Sequence, residues 1–316
     1  MERSIPVAVI GVGYLGRFHA QKYAALPDCR LVAVVDSDLK RAQLVGKELG
    51  VPAHADPQEI FDQVEAVTVA ASTQQHYAVA QACLHAGKHC LVEKPLAATV
   101  DQAQELVTLA ARKNLLLQVG YLERLNPAFA ACRPRIRQPH FIETLRIGPF
   151  SERGADVDVV LDLMSHDLDL VLSLVHSPIK HLHAVGLSLA TRSTDLASVR
   201  LTFADGCVAN LTASRISNKP ERKFRLIQDD SYFSMDLSLP GVKIYSRPTD
   251  GGAHPPGKLV EEILPVQKGD ALLLEVESFL QAVRNRQRPL VTGDEGLQAM
   301  LLAELVISDI ERNRIP

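Results

Sequence analysis

Three groups of residues in this chain have types and spacings that can do chemistry. The first is Gly11-Val12-Gly13-Tyr14-Leu15-Gly16, which follows the apolar run 7–10 and opens a helical pattern. In such a loop Gly11 allows the tight turn, Gly13 lets the backbone approach a pyrophosphate, and Gly16 allows close helix–strand packing. The helix that starts at Tyr14 and Leu15 offers free N–H groups and a partial positive charge to phosphates. Asp36 ends the second apolar run, about 20 residues beyond the last glycine, the spacing that suits a ribose diol. Its charge repels a 2′-phosphate, so NAD is expected rather than NADP. Lys40 and Arg41 lie near it and are expected to be a solvated first helical turn. The alternative is a glycine-rich turn that holds no ligand. The second group is Glu93-Lys94-Pro95. A lysine beside a bound cofactor and partly out of water loses basicity toward neutrality and can take a proton. Pro95 keeps Lys94 extended and removes one backbone donor. Without a cofactor, such a lysine is an ordinary exposed loop residue. The third group is Asp162 and His166, four residues apart and so on one helix face. Both interrupt an otherwise apolar helix. They are either functional or a polar pair at a domain interface.

The elements that must position these residues can be read from the hydrophobic pattern. Apolar runs at 7–10, 31–35, 66–70, 90–92 and 115–119 alternate with helical patterns at 14–26, 39–49, 76–86 and 101–114. Strands apolar on both faces, separated by amphipathic helices, imply a parallel sheet covered on both sides, a doubly wound α/β domain over 1–120. The pattern then changes. A helix over 158–174 precedes alternating segments at 181–189, 198–203, 208–214, 224–229, 232–237 and 242–245, with a turn signal at Asp205-Gly206. This predicts an α+β domain over 121–316 with a large, open, mostly antiparallel sheet. Residues 248–257 read as a surface loop, and helices over 271–284 and 295–311 close the chain.

Composition narrows the function classes. The 316 residues carry 34 Lys+Arg against 37 Asp+Glu, with 47% hydrophobic and 22% charged residues. That fits about two globular domains, and it argues against a disordered chain or a basic nucleic-acid binder. No apolar stretch reaches the roughly 18 residues of a membrane span, and no signal peptide is evident. Cys29, Cys83, Cys90, Cys132 and Cys207 show no C-x-x-C pairing. Buried thiols in a reducing cytoplasm are expected, and no metal site.

Taken in order, the glycine loop, Glu93-Lys94-Pro95 and Asp162-Leu163-Met164-Ser165-His166-Asp167-Leu168-Asp169 resemble the glucose–fructose oxidoreductase/inositol dehydrogenase/MocA family. Gly16-Arg17-Phe18-His19-Ala20 and Ala71-Ser72-Thr73-Gln74-Gln75-His76 resemble its matching segments. The resemblance implies a Rossmann domain in which Ala71, Ser72, Thr73, His76, Glu93 and Lys94 join the glycines and Asp36 around NAD. It also implies a cis bond before Pro95. It implies oxidation of a sugar hydroxyl, with Lys94 and His166 handling the hydroxyl proton and Asp162 accepting from a substrate hydroxyl or orienting His166. Asp167 and Asp169 are expected to be solvated or structural, and His19 to pack on the first helix. Met164 stands where a small residue is common in the family.

Residues 120–128 and 156–166 resemble more narrowly a bacterial subgroup, the UDP-N-acetylglucosamine 3-dehydrogenases. That likeness implies a 3-keto nucleotide sugar made for an aminotransferase, toward 3-amino sugars of lipid A. Under it Arg124 and Asn126 would bind the acetamido group or a phosphate, and Tyr121 would pack on uracil or the sugar. Otherwise Arg124 belongs to an interdomain ion pair. The basic run Arg215, Lys219, Arg222, Lys223 and Arg225 suits a diphosphate, or is a solvated strand end. An inositol or free-sugar dehydrogenase, a bilin or imine reductase, and a non-catalytic NAD(H) sensor are the alternatives. The resemblance further implies a homodimer or homotetramer formed on the open sheet face, where Leu201, Phe203, Leu211 and Ile227 are expected.

Overall fold

The structure is a computed structural model that describes residues 3–151, 157–238, 241–248, 258–266 and 269–313. Most of the expected loop at 248–257, and Asp156 of the subgroup segment, lie outside the described residues. The chain divides into two units, Met1–Leu122 with Asp270–Met300, and Glu123–Gly269 with Leu301–Pro316.

The first unit is built on a six-stranded sheet of β1 (Ile5–Ile10), β2 (Cys29–Val35), β3 (Ala53–His54), β4 (Ala66–Val69), β5 (His89–Glu93) and β6 (Leu117–Gly120). All pairings are parallel, and the order is β3-β2-β1-β4-β5-β6. Every residue of β4, β5 and β6 is buried, which is why these strands read as largely apolar runs. Helices α1 (Tyr14–Ala25), α2 (Leu39–Leu49), α3 (Thr73–His85) and α4 (Val100–Arg112) connect them. Strand order reverses between β1 and β4, so a crevice opens at the carboxyl ends of the strands. Gly11, Asp36, Ala71 and Lys94 all follow strand ends there.

The second unit holds an eight-stranded sheet: β7 (Phe141–Ile147), β8 (Ile179–Leu187), β9 (Leu196–Phe203), β10 (Val208–Ser214), β11 (Glu221–Gln228), β12 (Ser231–Asp236), β13 (Gly241–Ser246) and β14 (Val260–Leu264). Its order is β14-β13-β12-β11-β7-β10-β9-β8, and only the β7–β10 pair is parallel. Helices α5 (Pro127–Cys132) and α6 (Ser165–Leu174) contribute to the core against one sheet face. Leu201, Phe203 and Leu211 are buried in that core. The expectation that they line the open face is therefore corrected, since alternation turns them inward. Ile227 does face outward, at 44% exposure.

Two helices end the chain, α7 (Ala271–Asn285) and α8 (Gly293–Arg312). Boundaries of 1–120 and 121–316 give the first unit no C-terminal segment. In the structure α7 packs on α1, where Val276, Phe279, Leu280 and Val283 share a core with Val7, Val9 and Tyr23. Burying that apolar stripe assigns α7 to the first unit. Among the described residues no helix is long and apolar enough to cross a membrane. All five cysteines are buried free thiols. Burial pushes the Cys29 and Cys132 thiols up to about 12, which leaves them protonated and unreactive.

Candidate active site

In the first unit the glycine loop has the shape that a pyrophosphate requires. Gly11 sits at φ +85°, and a Cβ there would lie 2.4 Å from the Ala71 amide nitrogen. A Cβ at Gly16 would lie 1.7 Å from the Gly11 carbonyl oxygen. Gly13, by contrast, faces open space, and no side chain caps α1 at that residue. The first-turn N–H groups of α1 are thus presented to a ligand at the switch point. Leu15 is half-buried behind the loop. Tyr14 is 69% exposed and meets Phe18 edge to face, with ring centroids 5.2 Å apart.

Asp36 closes the cradle. Its carboxylate accepts from the Val12 amide at 3.0 Å and the Asp38 amide at 2.9 Å. Arg41 Nη1 donates to both carboxylate oxygens at 3.2 Å. Arg41 is therefore a partner of Asp36 rather than only a solvated helix start. Ala71, Ser72 and Thr73 form the turn from β4 into α3, with Ser72 exposed at its N-cap. His76 is buried, with Nδ1 2.8 Å from the Pro95 carbonyl oxygen and Nε2 3.0 Å from that of Ala71. It joins the turn after β4 to the turn after β5. The Lys94–Pro95 bond in that second turn is cis. Lys94 is half-buried, and its amide donates to Glu93 Oε2 at 3.2 Å. These features fit a dinucleotide: a glycine cradle with no room for side chains, an open helix start and a carboxylate at the ribose position.

In the second unit Asp162 lies in a single π-turn, Val160–Met164, that runs directly into α6 and His166. π-turns are rare and are frequently found at functional sites. Both residues are half-buried, while Met164 is fully buried in the core. The turn is held from outside the helix. Asp158 accepts from the Val160 amide at 2.8 Å and the Thr194 amide at 3.3 Å. Asp195, fully buried, accepts from the amides of Leu189, Ala190 and Thr191. Burial raises its pKa, but these hydrogen bonds outweigh it and leave the carboxyl lowered to about 2. Arg215, also buried, donates to the Val157 carbonyl.

On either side of His166, α6 is anchored by buried ion pairs. Asp167 accepts from Arg146 at 2.8 and 2.9 Å, and Arg146 also reaches Glu123 at 2.7 Å. Asp169 accepts from Arg124 at 2.7 and 2.9 Å. Both aspartates are thus structural. Arg124, expected at substrate, here makes a two-pronged pair within its own unit. Asn126 caps α5 through the Ala128 amide and donates to Glu123 Oε2 and the Leu237 carbonyl. Tyr121 is 1% exposed. The basic run is dispersed in the same way: Lys223 pairs with Asp236 and Arg225 with Glu143.

Sequence reasoning missed one buried cluster. His19 Nε2 lies 2.7 Å from Glu93 Oε1, and Glu275 of α7 completes a group whose ligand-type atoms fall within 4.8 Å of one another. The signal was present in Leu272-Leu273-Leu274-Glu275-Val276, a lone acid on a face that is otherwise apolar.

Comparison with known proteins agrees with this geometry. Residues 5–121 match the model of an oxidoreductase family with an NAD-binding Rossmann fold, and residues 146–233 match the GFO/IDH/MocA C-terminal domain. UDP-N-acetylglucosamine 3-dehydrogenase of Acidithiobacillus ferrooxidans is 37% identical over 296 residues, covering 93% of this chain and 94% of that one. A solved structure of UDP-N-acetylglucosamine 3-dehydrogenase from the same organism superposes with a TM-score of 0.91, at 36% identity and 98% coverage of both chains. Myo-inositol 2-dehydrogenase of Thermotoga maritima is 24% identical over 331 residues, covering 98% of this chain and 97% of that one.

Proposed function

The chain belongs to the GFO/IDH/MocA family of NAD-binding oxidoreductases that act on CH–OH groups, and from that premise we propose that it oxidises C3 of UDP-N-acetylglucosamine to the ketone. The observation that carries the substrate is the near full-length likeness to a UDP-N-acetylglucosamine 3-dehydrogenase. The product would be a 3-keto nucleotide sugar. Its carbonyl suits a downstream aminotransferase, as on a route to the 3-amino sugars of lipid A.

The chemistry that NAD supplies when bound is two-electron oxidation of the carbinol carbon. The chain's own residues manage the proton and the orientation. Gly11, Gly13, Gly16 and the start of α1 hold the pyrophosphate, and Asp36 holds the ribose. Lys94 and His166 share the hydroxyl proton, one as its acceptor and the other as a partner that steadies the developing charge. Asp162, one π-turn before His166, accepts from a neighbouring ring hydroxyl or fixes the imidazole. His76 acts on the pocket by tying its two turns together. Arg124 and Asn126 would bind the acetamido group or a phosphate, and Tyr121 would pack on uracil or the sugar. The protein works in the cytoplasm as a homodimer or homotetramer.

The test is NADH formation on adding UDP-N-acetylglucosamine, with free N-acetylglucosamine and myo-inositol as parallel substrates. Turnover is expected with the nucleotide sugar, and kcat should fall about 10²–10⁴-fold in Lys94→Ala and in His166→Ala. Turnover of the free sugars with none across a panel of nucleotide sugars would overturn the substrate.

A further inference from the structure

The cluster behind Lys94 has a chemistry of its own. His19 on α1, Glu93 at the end of β5 and Glu275 on α7 are 0%, 7% and 2% exposed. Glu93 is boxed on every side. Oε1 faces His19 at 2.7 Å, Oε2 accepts from the Lys94 amide, and a Cβ at Gly120 would come within 2.9 Å of Oε2. Glu275 Oε2 and His19 Nδ1 are buried without a hydrogen-bond partner among the described residues. Two ionised carboxylates in one dry pocket repel strongly, so the pair must share its charge unequally. The surroundings decide which acid is neutral. Burial, then the nearby Glu93 charge, hold Glu275 well above the usual carboxyl range. Burial also opposes ionisation of Glu93, but the His19 hydrogen bond and the Lys94 amide outweigh it and keep that carboxyl low. The other groups beside the pocket are Tyr23, which bonds Thr68, and Gln118, which reaches the Glu275 backbone.

We propose that His19, backed by Glu275, is a positioning residue that holds Glu93 against the Lys94 amide, and so aims the Lys94 amine. This rests on the reading of Lys94 as a proton-transfer residue. Neither His19 nor Glu275 touches substrate. Their effect is on the rigidity of the turn that carries the amine.

The experiment uses the full chain in four forms: wild type, Glu275→Gln, His19→Gln and His19→Phe. It records kcat, the KM for NAD, NADH affinity by fluorescence, melting temperature, and the rate at which trinitrobenzenesulfonate labels Lys94, read by peptide mass spectrometry. Gln at 275 has the shape of the neutral acid, so kcat should stay within about twofold. His19→Phe removes the donor to Glu93, and kcat should fall roughly tenfold to hundredfold with little change in the KM for NAD. Lys94 should then label faster, and His19→Gln should recover most of kcat. A Glu275→Gln enzyme as impaired as Lys94→Ala would overturn the inference, because it would require a charged Glu275. Stoichiometric divalent metal in the purified protein would overturn it too. So would a His19→Phe protein that loses only melting temperature. Should His19→Phe not fold, Glu275→Gln and His19→Gln still decide. The two readings separate cleanly. If wild type oxidises no sugar while labelling still depends on His19, the substrate reading fails and the lock stands. If every variant turns over and labels like wild type, the lock fails and the substrate reading stands.

Discussion

Asp36 is held by two backbone amides and a guanidinium before any ribose arrives. The amides fix its geometry, so under the proposed function the carboxylate would accept the two ribose hydroxyls without reordering. The guanidinium has the opposite consequence. Arg41 offsets part of the charge that would repel a 2′-phosphate, and an arginine at this place can receive one. Under the proposed cofactor reading, discrimination between NAD and NADP would rest on Asp36 keeping Arg41 occupied. Hydrogen bonds to a charged group contribute about 1.5–3 kcal/mol, so Asp36→Ala should lower kcat/KM with NAD roughly tenfold to hundredfold. The same variant should gain activity with NADP, and Asp36→Ala/Arg41→Ala should lose that gain. Steady-state kinetics with both cofactors check this. An unchanged preference in Asp36→Ala would show that the ribose is bound elsewhere.

Under the proposed function β5 would carry the most functional weight, since it ends at Glu93 and leads directly into Lys94. Its first residue, His89, is buried, and His89 Nδ1 accepts from the Leu116 amide at 2.9 Å. Burial, assisted by Arg286, lowers its pKa from 6.5 to about 4. The sign follows directly. Between those two values the unfolded chain binds the proton and the folded chain does not, so stability rises with pH. The His89 contribution is complete above pH 6.5 and is lost as pH falls toward 4. Thermal melts across that range should fall more steeply for wild type than for His89→Asn, which keeps an acceptor but cannot charge. Parallel curves would refute the assignment. β5 itself was legible in the sequence because a strand buried on both faces leaves a continuous apolar run. β7 was not, although it sits at the centre of the second sheet. Its inward positions are Ile142, Thr144 and Arg146, and Arg146 is buried only because Asp167 and Glu123 neutralise it. A pattern that counts apolar residues cannot see a strand whose core face carries an ion pair. The π-turn escaped for a related reason. Asp162 and His166 are four apart in any helix, and the extra residue in the turn is set by the loop around Asp195 rather than by the helix sequence.

At the scale of the whole molecule, the core of the second unit is built, among the described residues, against one face of its sheet. The register places Phe141, Glu143 and Leu145 of β7 beside Ile227, Arg225 and Lys223 of β11, and beside Val208, Asn210 and Thr212 of β10. Glu143 and Arg225 form an ion pair across the strands at 2.6 Å, and Tyr232 stacks on Tyr245. This face is neither a core nor an ordinary charged surface. Apolar residues are interleaved with satisfied polar pairs, which is the composition of an interface that must also tolerate water while the subunits are apart. A second copy related by a two-fold axis would place the same strip against itself, so each charge pair would have to stay internal to its own subunit, as these do. We therefore expect the protein to be at least a dimer in solution through this face. Ile227 lies toward the end of the central strand β11 at 44% exposure, and Ile227→Glu would add a charge to this face of each copy. Light scattering after size exclusion should give a multiple of the 34.5 kDa chain for wild type and a shift toward one chain for the variant. A wild type that runs as a single chain would remove the interface, and the exposed strip would then require a different partner.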